Sequence, residues 1–165
     1  MRRFRFVSCA AVAFFVLGLS TSCTTVDKSA ENNKAIVQRF IEEVWNKGNL
    51  AVIDELCAAN FVDYGPASTD VTRGLDSLKQ SVTMYRTAFP DLQLTVEDMV
   101  AVGDKVVTRW TARSTHKGDF MGIAPTNKQT TVTGISIDRI AGGKIEETWE
   151  AWDRMALMQQ LGVAP

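Results

Sequence analysis

The feature that most constrains this chain is a change of hydrophobic period at Pro90. Before it, apolar residues recur every three or four positions; after it, they alternate. Ala35, Ile36, Phe40, Ile41, Val44 and Trp45 put one apolar face on a helix that starts near Asn33. Asn46-Lys47-Gly48 closes it, with Gly48 suited to a left-handed cap. A second short helix is expected over about Ala51 to Cys57, then an extended piece Phe61-Val62-Asp63-Tyr64 stopped by Gly65-Pro66. A third helix spans about Leu75 to Ala88, with Leu78, Val82 and Tyr85 inward, and ends at Phe89-Pro90-Asp91 because proline cannot continue it.

Beyond Pro90, four stretches read as half-buried strands: Leu92 to Val102, Lys105 to Thr115, Thr130 to Ile140 and Lys144 to Asp153. Gly103-Asp104 and Ala141-Gly142-Gly143 are tight-turn chemistry, so the first and last pairs are expected to be hairpins. A connection rich in Gly, Pro, Asn and Thr runs between the middle strands. Its Met121 to Lys128 part is apolar enough to cap a cavity mouth or to meet a second subunit. Arg154 to Leu161 forms a last short helix ended by Gly162. Helices followed by antiparallel strands define an α+β class, and 165 residues suit one domain. A strongly twisted sheet curling around the first helix leaves a hollow, which Phe40, Trp45, Phe61, Phe89, Trp110 and Trp149 either line or fill.

Residues 1–22 read as an export signal. Arg2, Arg3 and Arg5 precede a 13-residue apolar run, Val7 to Leu19, of signal rather than spanning length. Ser20 and Ser22 permit ordinary cleavage after Ser22; Leu19-Ser20-Thr21-Ser22-Cys23 also resembles a bacterial lipobox, which would make Cys23 a lipidated N-terminus at the cell envelope. Residues 23–32 are polar and read as a tether, leaving 33–165 as the domain. Without the signal, 15 basic and 19 acidic groups remain, and no basic stripe invites nucleic acid. Cys57 is then the only cysteine of the domain, more a packed small hydrophobe than a nucleophile. With it and a single histidine, no zinc-type ligand set can be assembled.

Several segments are similar, in order and spacing, to the SnoaL-like polyketide (ester) cyclases: NKAIVQRFIEEVWNKGN, AFPDL, VGDKVVTRWTARSTHKGDFMGIAPTNK and GKIEETWEAWD followed by QQLG. The resemblance covers roughly Asn33 to Pro165. It implies the cone-shaped nuclear-transport-factor-2-like fold, a pocket for a hydrophobic small molecule, and ring closure by intramolecular aldol condensation without metal or organic cofactor; a homodimer is expected through the open sheet face. It also marks Asp153, at the end of W-x-x-x-D, as the acid/base, and His116 in the T-H-x-G turn as a group that either polarises a carbonyl or ties its loop down. Tyr64 and Thr148 stand where relatives often carry histidine. Strict alternation sets Asp153 on one face with Ile145, Glu147, Trp149 and Ala151. On that basis the expected pocket lining is Phe40, Trp45, Tyr64, Tyr85, Trp110, Arg139, Glu147 and Trp149, the arginine being available to neutralise an acid. An enzyme, a ligand-binding envelope protein and a dimerising module remain as functional readings.

Overall fold

A computed structural model describes residues 28–67 and 69–163. The export signal, Cys23 and the start of the tether lie outside the described residues. Lys28 to Asn32, read above as tether, form the opening of helix α1 (Lys28–Phe40) instead, where Lys34 reaches back to Glu31 at 3.0 Å.

Helix α1 runs on into a π-helical turn, Ile41–Asn46, in which the Lys47 N–H donates to the Glu42 carbonyl at 3.1 Å. Such a widened turn admits an extra residue per revolution and shifts the faces that follow. Val44 drops into the core, and Asn46 reaches across to hydrogen-bond both the N–H and the C=O of Leu94. Gly48 takes the left-handed conformation (φ 71°) that ends the segment, as its position implied.

A 3-10 turn leads to the one-turn helix α2 (Ile53–Leu56), and Cys57 already belongs to strand β1 (Cys57–Tyr64). Strand β2 (Val71–Arg73), which sequence periodicity was too short to reveal, pairs antiparallel with it. Helix α3 (Leu75–Ala88) and strands β3 (Gln93–Val102), β4 (Lys105–Thr115), β5 (Gln129–Ala141) and β6 (Lys144–Trp152) fall where the change of period placed them, with α4 (Arg154–Leu161) last.

The sheet has six strands in the order β2-β1-β6-β5-β4-β3, and only the β1–β6 contact is parallel. Both expected hairpins form, with Gly103, Gly142 and Gly143 at positive φ. This is an α+β cone: the curved sheet wraps α1 and α3 and does not close. One buried cluster (Val37, Val44, Ile53, Phe61, Leu78, Ile145) fills the narrow end. A second (Phe89, Phe120, Leu157, Leu161) fills the side under the loop and α4, and Trp45 and Leu94 pack against both.

One irregularity decides which side chains see the inside. In the β5–β6 ladder Arg139 faces Glu147, yet the next residue, Ile140, faces Ile145, so Glu146 is an extra residue in β6. A bulge of this kind inverts the in–out alternation beyond it. Ile145 points into the core before the bulge, and Thr148, Glu150 and Trp152 hold the inner face after it. Strict alternation put Glu147, Trp149 and Ala151 inside; the bulge turns them out.

Candidate active site

Between α3, the π-helical turn and the inner face of the sheet lies a cavity of about 430 Å³, the size of a small-molecule site. Its walls are aromatic: Trp45, Tyr85, Phe89, Trp110 and Trp152. Tyr85 meets Trp45 edge-on, with ring centroids 5.9 Å apart, and leans on Phe120. The flat floor between Trp110 and Trp152 depends on Gly134, which is paired with both across the sheet. A Cβ there would come within 2.4 Å of the Trp110 ring and 2.7 Å of the Trp152 Cβ. The mouth is bounded by Met121 of the apolar loop and by an ion pair, Arg154 to Asp70 at 2.7 Å.

Three carboxyls share the inner face. Asp63 on β1 and Asp138 on β5 flank Thr148 of β6 in one row of the sheet. Glu150 sits two residues further along β6, opposite Ser136. Asp138 is buried at 3% exposure and accepts a 2.7 Å hydrogen bond from the Thr148 hydroxyl. That bond favours its charged form, but burial outweighs it and pushes Asp138 up to about 7. Burial likewise pushes Asp63 up to about 6, and its Oδ1 has no hydrogen-bond partner. Glu150 is pushed up to about 8, first by burial and then by the negative charges of Asp63 and Asp138. Asp63 and Glu150 open into the cavity; Asp138 lies behind its wall. Among the described residues, no group of three His, Cys, Asp or Glu side chains is arranged to hold a metal ion.

The residues expected from sequence divide sharply. Trp45, Tyr85 and Trp110 do line the cavity. Phe40 is buried in the narrow-end core instead, because the π-helical turn lies between it and the chamber. Tyr64 and Trp149 stack on each other, ring centroids 5.7 Å apart, outside the cavity, and Arg139 holds Glu146 and Glu147 there at 2.6 and 2.5 Å. Asp153 corrects the expectation most. It stands just past the end of β6 as the N-cap of α4, its Oδ1 accepting from the Ala156 N–H at 2.8 Å, and does not line the chamber. His116 is fully buried against the Phe89 ring. Its Nδ1 accepts from the Thr126 N–H at 3.2 Å, and the Asn127 and Lys128 backbone pins the same turn. Of its two possible roles, this is loop fastening. Cys57 is the packed hydrophobe it was read to be, its thiol pushed up to about 12 by burial. Asp63 and Glu150 were missed. The only sequence signal for them was a carboxylate two positions after Phe61 in a strand, and one beside Trp149 once the bulge is counted.

An α+β cone holding an aromatic chamber, with carboxyls on its sheet wall held above their ordinary range, suits acid/base chemistry on a small molecule. The chain belongs to the SnoaL-like polyketide cyclase family, whose profile matches residues 35–161. Among solved structures it is similar to a candidate SnoaL-like polyketide cyclase from Jannaschia sp. CCS1 (22% identity, TM-score 0.78, covering 86% of this chain and 99% of that one). It is also similar to IdmH, a candidate polyketide cyclase from Streptomyces antibioticus (30%, 0.69, 79% and 99%), and to AclR, a candidate hydroxylase from Streptomyces galilaeus (28%, 0.73, 82% and 88%). No curated protein matches the chain.

Proposed function

We propose that the domain carries out cofactor-free acid/base chemistry of the cyclase or isomerase kind on a hydrophobic carbonyl compound, with Glu150 moving the proton. One observation carries the reading: Glu150 opens into an aromatic chamber, and among the described residues the neighbouring charges that push on it are the carboxylates of Asp63 and Asp138. A carboxyl held well above its ordinary range by burial exchanges its proton near neutral pH, so it serves as base when ionised and, once protonated, as acid. The ionised form removes a proton from the carbon next to a carbonyl, and the C–H electron pair passes into an enolate. The enolate carbon attacks a second carbonyl of the same molecule, and the resulting alkoxide takes the proton back from Glu150. Protons and electrons balance without an oxidant. Tyr85, pushed up to about 12 by burial, keeps its O–H as a donor to the developing oxyanion.

The test is deuterium exchange at the α-carbon of an apolar aryl diketone, with wild type and Glu150→Gln. The variant should lose about 10²–10⁴-fold of the exchange rate; equal rates would remove Glu150 from the chemistry. If wild type exchanged nothing, while native mass spectrometry of protein from its own host found a retained small molecule, a ligand-binding envelope protein would replace the enzyme.

Export and lipid anchoring belong to the same reading, supported by the N-terminal pattern alone. Cys23→Ala should release the protein from membranes, and persistent association would remove the lipid anchor. A homodimer is supported by the apolar outer face, where Val107 and Ile135 are exposed. A monomeric mass by light scattering at micromolar concentration would dismiss it.

A further inference from the structure

We propose that the chamber takes ligands bearing a positive charge, a protonated or quaternary amine on an apolar body, with Asp63 as counter-ion and the aromatic walls as cage. The inference rests on the cavity being the site and goes beyond it by naming a substrate class.

The charges of the wall are unequal. Asp63, Asp70 and Glu150 line the chamber, against Arg154 as the sole basic residue among the described lining, and Arg154 is already bound to Asp70. Asp138 adds a further acid behind the wall. From the other elements the chamber receives Tyr85 of α3, Trp45 of the π-helical turn, Leu94 of β3 and Trp110 of β4, none of them cationic. Two buried polar atoms on this face lack partners: Oδ1 of Asp63, and the hydroxyl of Thr108, a fully buried residue in the same sheet row as Ser136 and Glu150.

Acids out of water need either a proton or a cation. A neutral ligand would leave Asp63 without a counter-charge, and an anionic one would meet like charge. An ammonium answers both features of the chamber. It satisfies the carboxylate, and its C–H-rich surface is attracted to ring faces, as in aromatic cages for quaternary amines. Ligand and protons then compete for the same carboxyls, so affinity should rise with pH as Asp63 and Glu150 ionise. An amine near Glu150 would also favour the carboxylate form that acts as base.

The experiment uses an isosteric pair, (4-hydroxybenzyl)trimethylammonium and 4-neopentylphenol, titrated into the mature domain by tryptophan fluorescence. At about pH 9 the cation should bind at least about tenfold more tightly than its neutral twin, with the advantage shrinking toward about pH 5. Asp63→Asn should abolish the preference while leaving affinity for the neutral twin near wild type. Equal affinities for the two probes in wild type, or no cation binding at millimolar concentration, overturn the proposal. So does a preference that survives Asp63→Asn. Wild-type exchange on the diketone without any cation preference would sink the amine while leaving Glu150 as the acid/base. A cation preference with exchange unchanged in Glu150→Gln would do the reverse.

Discussion

The two faces of strand β6 carry acids of the same type in opposite circumstances. On the outer face Glu146 and Glu147 share Arg139, each within 2.6 Å, and stay in contact with water. On the inner face, three residues further along, Glu150 lines the chamber, where burial and the charges of its neighbours Asp63 and Asp138 disfavour its carboxylate form. Sequence spacing does not separate these glutamates. Partner and surroundings do, and they separate an ion-paired acid from one held above its ordinary range.

The strongest way to sharpen that contrast is chemical. Glu150→Gln should cost two to four orders of magnitude in α-proton exchange, whereas Glu147→Gln should leave it within about a factor of three.

Next in size is the pH dependence of stability. Glu150, Asp138 and Asp63 are held above their ordinary values, so the folded state binds more protons than the unfolded chain. Their favourable contribution is complete below about pH 4 and is lost as pH rises through about 6 to 8. Denaturant melts of wild type should therefore show stability falling on the order of a few kcal/mol between about pH 5 and 8, with Glu150→Gln flattening the slope. A wild-type curve that rises across this window would contradict the inner-face assignment.

Gly134→Ala tests the chamber floor. A methyl forced between Trp110 and Trp152 should cost about 1–3 kcal/mol and weaken binding of either phenol probe, both read by titration and melting. Asp153→Ala should remove the cap of α4, lowering stability by about 1 kcal/mol while diketone exchange is unchanged. Smallest of all, Arg139→Ala should leave the denaturation midpoint nearly unchanged, because its pairs are solvent-screened. A larger loss there than at Gly134 would break the distinction between the faces.

The candidate site was only partly legible in the sequence. Trp45, Tyr85 and Trp110 announced themselves by lying on the apolar side of helices and strands whose period is unbroken up to them. Asp63 was hidden in a short strand where three half-buried residues follow one another, so no alternation singled it out. Glu150 and Asp153 were exchanged for a single reason. The bulge at Glu146 adds one residue to β6, a length invisible in the run KIEETWEAW, and every side chain after it changes face. Trp149 was drawn into the expected pocket by the same parity and Tyr64 by standing where relatives often carry histidine, yet their rings form an outer stacked pair.

Apart from β2, the order of elements, the two hairpins, the limits of α3, β4 and α4, and the family were determined by the chain itself. Their signals are local: hydrophobic period, proline, glycine at positive φ, and short motifs. The tertiary structure alone decided which acids face the chamber. Burial, bulge register and the mutual repulsion of Asp63, Asp138 and Glu150 arise only when β1, β5 and β6 lie side by side. The energy of a carboxyl depends on those neighbours far more than on its place in the sequence.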